Sequence, residues 1–254
     1  MKIGIVSLGL IGGSIYKSLE LLDKYELVAV SNSVKGNNIS TDYSILKDCD
    51  VVFVCSPMNA TLKVLDKLDV ILQPNTIVTD VCSLKTFVSQ KKYSFKFIPS
   101  HPMAGTENSG WDNSFAGLFK GAKWAITPIN SVELDEQEIL EKIITDLGAK
   151  IIITTPEEHD EAVALISHMP LILSQALCQN IKDNKLAQEL ASSGFKDMTR
   201  LALSNLEMAK DMLELNRENI VKALDLTEKS TQEIINNDYI KTSLEIKKFR
   251  KQLY

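Results

Sequence analysis

Short runs of apolar, largely β-branched residues alternate with amphipathic helical patterns over the first 155 positions of the chain. The runs occupy residues 2–6, 27–30, 51–55, 76–79, 96–99, 124–127 and 150–154. Between them lie helix candidates, the clearest at residues 10–22, 60–68 and 133–146. Several runs are apolar throughout, as expected of parallel strands that are covered on both faces. The alternation predicts an α/β fold built on a doubly wound, Rossmann-type parallel sheet.

The pattern changes after residue 155, where Pro156 and two following glutamates are typical of a helix start. From there onward the apolar positions follow helical spacing, and no strand is predicted. Pro170 is expected to kink or divide the first helix. Further helices are predicted at residues 185–191, 198–204, 207–237 and 238–252. We therefore expect an α/β domain at residues 1–155 and an all-helical C-terminal domain at residues 156–254, whose apolar faces favour a homodimer.

The composition restricts the classes of function. Hydrophobic residues make up 44% and charged residues 24% of the chain, which is typical of a folded globular protein. The net charge of -5 argues against nucleic acid as a partner, because phosphate binding needs a basic surface. We recognise no signal peptide and no apolar stretch of membrane-spanning length. The four cysteines lack metal-binding spacing, so we expect reduced thiols, a cytoplasmic protein and no metal site.

A glycine-containing segment follows the first predicted strand, where dinucleotide-binding folds make their tight turn. Gly9 would let the backbone approach a pyrophosphate, and Gly12 would let the following helix pack closely on the strand. The amide groups at the helix start would then bind the phosphates. The usual pattern also has glycine at position 7, where this chain has Ser7, at a conformational cost if the turn needs a positive φ. The segment predicts nucleotide binding, with a purely structural turn as the alternative.

The end of the second predicted strand bears on the choice of cofactor. An acidic residue there would bind the adenosine ribose and repel the 2′-phosphate of NADP. This chain has Ser31-Asn32-Ser33 instead, with Lys35 soon after. These residues are small polar donors with one cation nearby, or else turn residues that contact no ligand. The sequence leaves NAD and NADP both open.

One residue further along the chain suggests catalytic chemistry, whereas two others have structural interpretations. His101 opens the segment HPMAGTE near the end of a predicted strand. An imidazole downstream of a nucleotide-binding turn suits a dehydrogenase, because a base must take the alcohol proton while the cofactor takes a hydride. Ser83 is expected to be the N-cap of a helix that begins at Leu84. His159, which is flanked by acidic residues, is expected to be an exposed helix residue.

Five segments of the chain carry a resemblance. They are LGLIGGS at residues 8–14, DVCSLK at 80–85, HPMAGTE at 101–107, SHMP at 167–170 and GFKDMTR at 194–200. In order and spacing these segments resemble the prephenate dehydrogenase family over nearly the whole chain. The third and fifth segments are specific to that family, whereas the first is shared by many dehydrogenases. The resemblance implies a dinucleotide-binding domain followed by a helical domain for substrate binding and dimerisation.

The resemblance also implies a reaction and a set of residues. Prephenate would be oxidatively decarboxylated to 4-hydroxyphenylpyruvate, a step of tyrosine biosynthesis, with hydride transfer to NAD or NADP. The resemblance slightly favours NAD. His101 matches the catalytic histidine and Ser83 the active-site serine, while Arg200 would pair with a substrate carboxylate and His168 would contribute to substrate binding. The residues expected to bind the cofactor are Gly9, Leu10, Ile11, Gly12, Ser31, Asn32, Ser56 and Pro57.

Other functions stay open at this point. The family commonly has a second histidine three residues after His168, where this chain has Leu171, so arogenate is the alternative substrate. A β-hydroxyacid dehydrogenase is less favoured, because Asn180 and Lys182 stand near the expected place without the glycine-rich context. A non-catalytic nucleotide-sensing protein is also less favoured, because His101 and the other matching residues are retained.

Overall fold

The computed structural model describes residues 1–106, 108–129 and 134–253. Six strands form a parallel sheet in the order β3-β2-β1-β4-β5-β6. The strands are β1 (Lys2–Val6), β2 (Glu26–Val30), β3 (Ile39–Ser40), β4 (Val51–Val54), β5 (Ile77–Asp80) and β6 (Lys96–Phe97). This sheet confirms the predicted doubly wound α/β architecture of the N-terminal part of the chain.

Helices cover both faces of this sheet. They are α1 (Leu10–Leu22), α2 (Met58–Asp69) and α3 (Leu134–Asp146). Alternate residues of β4 point into different cores: Phe53 packs in the cluster that contains residues of α1 and α3, and Val54 packs in the cluster that contains residues of α2. Apolar residues at successive positions of the central strands are therefore buried, as parallel strands between two helical layers require. The predicted helix start at Glu133 lies outside the described residues.

The last predicted strands form a separate sheet. It has the order β7-β8-β9, with β7 (Ser100–Pro102), β8 (Lys123–Ile126) and β9 (Lys150–Ile153). Strand β7 pairs antiparallel with β8, and β8 pairs parallel with β9. The prediction of one parallel sheet was wrong for these runs. The apolar run at 96–99 leaves the parallel sheet before Pro99, because proline has no N–H to donate to a ladder. The carbonyl of Pro99 accepts from the backbone N–H of Thr127 at 2.9 Å, next to β8.

The rest of the described chain is helical, which confirms the predicted all-helical C-terminal region. Its helices are α4 (Pro156–Val163), α5 (Met169–Asn180), α6 (Lys185–Leu190), α7 (Ser193–Met198), α8 (Leu206–Leu215), α9 (Arg217–Asn236) and α10 (Tyr239–Leu253). A π-helical turn at Ala164–His168 precedes Pro170, consistent with the predicted interruption of the first helix. The helix predicted at 207–237 is divided at Asn216, the N-cap of α9.

The chain forms two compact units. The first comprises residues 1–163 and 203–215, and the second comprises residues 164–202 and 216–254. Met212 of α8 belongs to a core cluster of the first unit together with Met58, Leu84 and Val163. The second unit has its own small core, formed by Ala164, Met169, Ile220 and Ala223.

One helical stretch within the described residues, Pro156–Asn180, is long and apolar enough by length and composition to cross a membrane, with a mean hydropathy of 1.4. The sequence pattern predicts no apolar stretch of membrane-spanning length, so this stretch differs from that prediction. A core helix of a globular protein meets the same criterion, so this stretch is weak evidence for a membrane span.

Candidate active site

The turn after β1 has the conformation that a dinucleotide-binding turn needs. Ser7 adopts a φ of 72°, a left-handed value that glycine holds without steric cost. A Cβ atom on Gly12 would lie 2.1 Å from the carbonyl oxygen of Ser7 and 2.9 Å from the Cβ of Cys55. Only glycine therefore allows α1 to pack this closely on the strand. A Cβ on Gly9 would have no heavy atom within 4 Å, so its backbone faces open space.

The candidate cofactor residues lie at one edge of the parallel sheet. Gly9, Leu10, Ile11 and Gly12 follow β1, Ser31 and Asn32 follow β2, and Ser56 and Pro57 follow β4. These three strands are neighbours and run in the same direction, so their carboxyl ends meet at one edge. Dinucleotides bind at this edge in open α/β sheets. The open space at Gly9 and the amide groups at the start of α1 fit a bound pyrophosphate.

Two of the candidate serines have local hydrogen-bond partners. The hydroxyl of Ser31, which is buried, accepts from the backbone N–H of Val34 at 3.1 Å. The Ser56 hydroxyl lies 3.0 Å from the hydroxyl of Thr61. Asn32 is exposed. These contacts fix the loops after β2 and β4, whereas the side chain of Asn32 faces solvent.

His101 lies in β7 with its imidazole against a second imidazole. Its Nδ1 atom is 3.0 Å from Nε2 of His159, and the two rings meet edge to face. The prediction that His159 is exposed was wrong: it is 4% exposed. The acidic neighbour Asp160 does not make this face of α4 exposed, because the Asp160 carboxylate is itself buried and hydrogen-bonded.

The Asp160 carboxylate anchors the pair of histidines. It lies 2.8 Å from Nδ1 of His159 and accepts from the backbone N–H groups of Lys85 at 2.8 Å and Thr86 at 2.9 Å. Burial alone would raise the pKa of Asp160, but these hydrogen bonds outweigh burial and hold that pKa below its usual value. The carboxylate is therefore ionised at neutral pH and can only accept hydrogen bonds.

This geometry assigns the protons of both rings when they are neutral. The Asp160 carboxylate requires a proton on Nδ1 of His159, which makes Nε2 of His159 an acceptor. His101 must then donate from Nδ1, and its Nε2 atom carries the lone pair. The arrangement prepares Nε2 of His101 to act as a base.

Ser83 lies in the loop after β5 and is half-buried. The prediction that it caps a helix beginning at Leu84 was wrong, because residues 86–90 form turns. The backbone N–H groups of Lys85 and Thr86, which a helix N-cap would satisfy, are instead bound by Asp160 from a distant part of the sequence.

The remaining candidates belong to the second compact unit. His168 is 2% exposed, and its Nδ1 atom lies 3.2 Å from the side-chain amide of Asn216. Arg200 begins a short 3₁₀ turn and is exposed. Glu107, the last residue of the HPMAGTE segment, lies outside the described residues. Of the predicted substrate and catalytic residues, Ser83 and His101 therefore lie in the first unit, and His168 and Arg200 lie in the second.

Two profiles of one family match almost all of the chain. Residues 17–153 match the profile described as "Prephenate dehydrogenase, nucleotide-binding domain", and residues 155–251 match "Prephenate dehydrogenase, dimerization domain". The chain belongs to the prephenate dehydrogenase family. The resemblance inferred from the sequence is thereby confirmed.

Individual members of the prephenate dehydrogenase family show the same likeness. The chain is 33% identical to Synechocystis arogenate dehydrogenase, whose crystal structure it matches with a TM-score of 0.82 over 99% of this chain and 97% of that one. The structure of Aquifex aeolicus prephenate dehydrogenase in complex with hydroxyphenyl propionate and NAD+ is 26% identical, with a TM-score of 0.86 over 100% and 98% of the two chains. The prephenate dehydrogenase of Bacillus subtilis is 28% identical over 82% of this chain, which spans 62% of that protein's length.

Four residues of this site were not proposed from the sequence: His159, Asp160, Asp80 and Lys85. His159 could have been found from helical spacing, because it lies four residues before Val163 on α4 and both are buried. Asp80 and Lys85 are a buried ion pair within the recognised DVCSLK segment. Their burial is not expected from the sequence, because charged side chains are rarely fully buried.

Proposed function

We propose that this chain oxidatively decarboxylates prephenate to 4-hydroxyphenylpyruvate with hydride transfer to NAD(P)+. The observation that carries the proposal is the hydrogen-bonded series from Asp160 through His159 to His101, which prepares Nε2 of His101 as a base. Oxidation of a ring hydroxyl needs such a base at neutral pH. Family membership supports the same activity, since relatives named prephenate, cyclohexadienyl and arogenate dehydrogenase are all similar to this chain.

Each protein group has one task in this proposal. Nε2 of His101 accepts the hydroxyl proton as the carbon that bears the hydroxyl loses its hydride, and Ser83 hydrogen-bonds the same hydroxyl or orients the histidine. Arg200 pairs with a carboxylate of the dianionic substrate, and His168 supports substrate binding. The ring carboxylate then leaves as carbon dioxide. The electron pair of the broken carbon–carbon bond moves through the ring to the new carbonyl oxygen, which takes the proton back from His101, and the ring becomes aromatic.

The nicotinamide cofactor, when bound, supplies the hydride acceptor. The residues proposed to hold it are Gly9, Leu10, Ile11, Gly12, Ser31, Asn32, Ser56 and Pro57. Gly9 and Gly12 would admit the pyrophosphate and keep α1 close to the sheet, and the amide groups at the start of α1 would bind its charge. Residues 1–155 would thus serve as the dinucleotide-binding domain and residues 156–254 as the substrate and dimerisation domain.

Turnover by the purified protein tests the proposal directly. Prephenate and arogenate are each mixed with NAD+ and with NADP+, and the reduced nicotinamide is followed by its absorbance. We expect turnover with prephenate, and a loss of about a hundredfold or more in kcat for His101→Asn with cofactor affinity retained. Absence of turnover in all four mixtures would reject the dehydrogenase activity.

Arogenate is the second candidate substrate. Leu171, where the family commonly has histidine, is buried in α5 and offers no hydrogen bond to a substrate side chain. The similarity to an arogenate dehydrogenase favours the same alternative. A higher kcat/KM for arogenate than for prephenate in the four-mixture assay would establish it.

We propose that NADP+ is accepted at least as well as NAD+. No aspartate or glutamate lies between Glu26 and Asp42, so the turn after β2 has no carboxylate to repel a 2′-phosphate. Lys35 on the same turn supplies a cation, and Asn32 is exposed. Asn32→Asp should shift the ratio of kcat/KM values at least tenfold toward NAD+, whereas Asn38→Asp, the same change near β3, should not. A wild-type kcat/KM that is about twofold or more higher with NAD+ than with NADP+ would refute this assignment.

A homodimer in the cytoplasm is the proposed form of the protein. The helices α9 and α10 expose apolar side chains, including Ile235, Ile240 and Phe249, and the matching family profile is described as a dimerization domain. Light scattering on the purified protein should give twice the 28.3 kDa mass of one chain. A concentration-independent monomer would contradict the dimer.

A further inference from the structure

Lys85 and Asp80 form an ion pair that is fully buried. The Nζ atom of Lys85 lies 2.5 Å from Oδ2 of Asp80, and both side chains are 0% exposed. Removing two charges from water costs several kcal/mol per ion, so such a pair adds little net stability compared with apolar side chains of the same size. The contacts of the pair indicate a role other than stability.

The pair holds the backbone that leads into His101. Lys85 Nζ donates to the carbonyl oxygen of Ser100 at 2.6 Å, and this carbonyl belongs to the peptide bond between Ser100 and His101. Oδ1 of Asp80 accepts from the backbone N–H of Ser100 at 3.2 Å. Both polar groups of Ser100's backbone are thus bound by the same ion pair.

The pair also holds the loop that carries Ser83. Oδ2 of Asp80 accepts from the backbone N–H of Cys82 at 2.9 Å, one residue before Ser83. Lys85 itself lies two residues after Ser83. The loop is therefore tied to the ion pair on both sides of the serine.

A third contact links Lys85 to the far end of the histidine series. Its backbone N–H donates to Oδ1 of Asp160 at 2.8 Å, and this is the oxygen that lies 2.8 Å from His159. Lys85 therefore contacts Asp160 through its backbone and the peptide bond before His101 through its side chain. These two contacts fix Asp160 relative to the backbone of His101. The His159 and His101 rings lie between these two points.

We propose that Lys85, neutralised by Asp80, is a positioning residue that fixes His101 and Ser83 relative to the Asp160 anchor. The inference rests on the proposed dehydrogenase function of the site. A space-filling role would require only apolar bulk at this position. A positioning role requires a donor on Ser100's carbonyl and acceptors on two backbone N–H groups.

The double variant Lys85→Met/Asp80→Asn tests this inference, because it removes the ammonium group without leaving an unpaired buried charge. We expect a folded protein with cofactor Kd within about twofold of wild type, since the glycine turn is unchanged. We expect kcat to fall at least tenfold with KM within about threefold, and the acid limb of the kcat pH profile to shift. The matched control is Lys91→Met/Asp66→Asn, which removes an exposed ion pair of 2.6 Å and should leave both constants unchanged.

A readout without turnover separates this inference from the proposed function. Nitrogen-15 spectra of the histidine rings report which nitrogen carries the proton, and the double variant should change the signals of His101 and His159. An unchanged kcat and unchanged ring signals in the folded double variant would overturn the inference, even if the wild type is an active dehydrogenase. If wild type has no activity, the ring signals alone decide. If the double variant does not fold, Lys85→Met alone decides, because Asp80 then still accepts from the backbone N–H groups of Cys82 and Ser100: unchanged ring signals and unchanged kcat overturn the inference.

Discussion

Replacing His159 by phenylalanine isolates the contribution of the second imidazole. Phenylalanine keeps a planar ring of similar size but offers no acceptor to Nδ1 of His101, which lies 3.0 Å from Nε2 of His159. The Asp160 carboxylate keeps its two backbone donors, so the variant leaves no carboxylate without hydrogen bonds. The substitution therefore removes the orientation of His101 with little other damage.

The expected loss follows from the hydrogen bonds removed. A typical intramolecular hydrogen bond makes a net contribution of about 0.5–1.5 kcal/mol to stability, and a hydrogen bond to a charged group contributes about 1.5–3 kcal/mol. Both matter here, because His101 becomes positively charged when it accepts the proton, and Asp160 stabilises that charge through His159. At roughly tenfold per 1.4 kcal/mol, His159→Phe should lower kcat about 10- to 100-fold.

Initial rates at saturating cofactor, with prephenate varied, measure this effect in His159→Phe, His101→Asn and the double variant. Because His159 acts only through His101, the double variant should be no slower than His101→Asn alone. The control is Tyr25→Phe, which removes a hydrogen bond of 2.6 Å to Asp146 away from the site and should leave kcat unchanged. Losses that multiply in the double variant, or a wild-type rate in His159→Phe, would refute the reasoning.

Three further predictions concern stability and reactivity. Ser7→Gly relieves the left-handed φ of 72° and should raise Tm by about 1–4 °C, measured by thermal unfolding; a lower Tm would contradict the strain. Because the pKa of Asp160 is lowered in the fold, its carboxylate stabilises the protein at pH values above the ordinary pKa of an aspartate. The Tm advantage of wild type over Asp160→Asn should therefore be constant near neutral pH and shrink as the pH falls below that ordinary pKa. Burial raises the pKa of the Cys55 and Cys82 thiols, so a thiol reagent at mildly alkaline pH should modify exposed Cys178 first; equal rates would contradict the burial.

The sequence was sufficient where local pattern determines structure. Uninterrupted apolar runs marked the central strands, and the glycine spacing placed the turn before α1, including the positive φ suspected at Ser7. Helical periodicity identified the C-terminal region. These features depend on residues that lie only a few positions apart, so the local sequence pattern is enough to predict them.

The sequence was insufficient where contacts join distant segments. His159 and His101 are 58 residues apart in the sequence. The residues next to His159 do not indicate that the Asp160 carboxylate accepts hydrogen bonds from the backbone N–H groups of Lys85 and Thr86. The same N–H groups are the ones that Ser83 was expected to cap, and their acceptor lies 75 residues further along the chain. Hydrogen bonds of this kind are created by the tertiary fold and leave no periodic signal.

The order of segments within the two compact units limits how the gene could be cut. A fragment that stops at Val163 would lack α8, although Met212 of that helix packs with Met58, Cys82 and Leu84. Such a truncation would uncover apolar side chains and invite aggregation. Expression of the first unit on its own would need residues 203–215 supplied as well, for example by a short engineered linker after Val163. Recombination with other dehydrogenases faces the same constraint, because a single crossover point cannot exchange either unit whole.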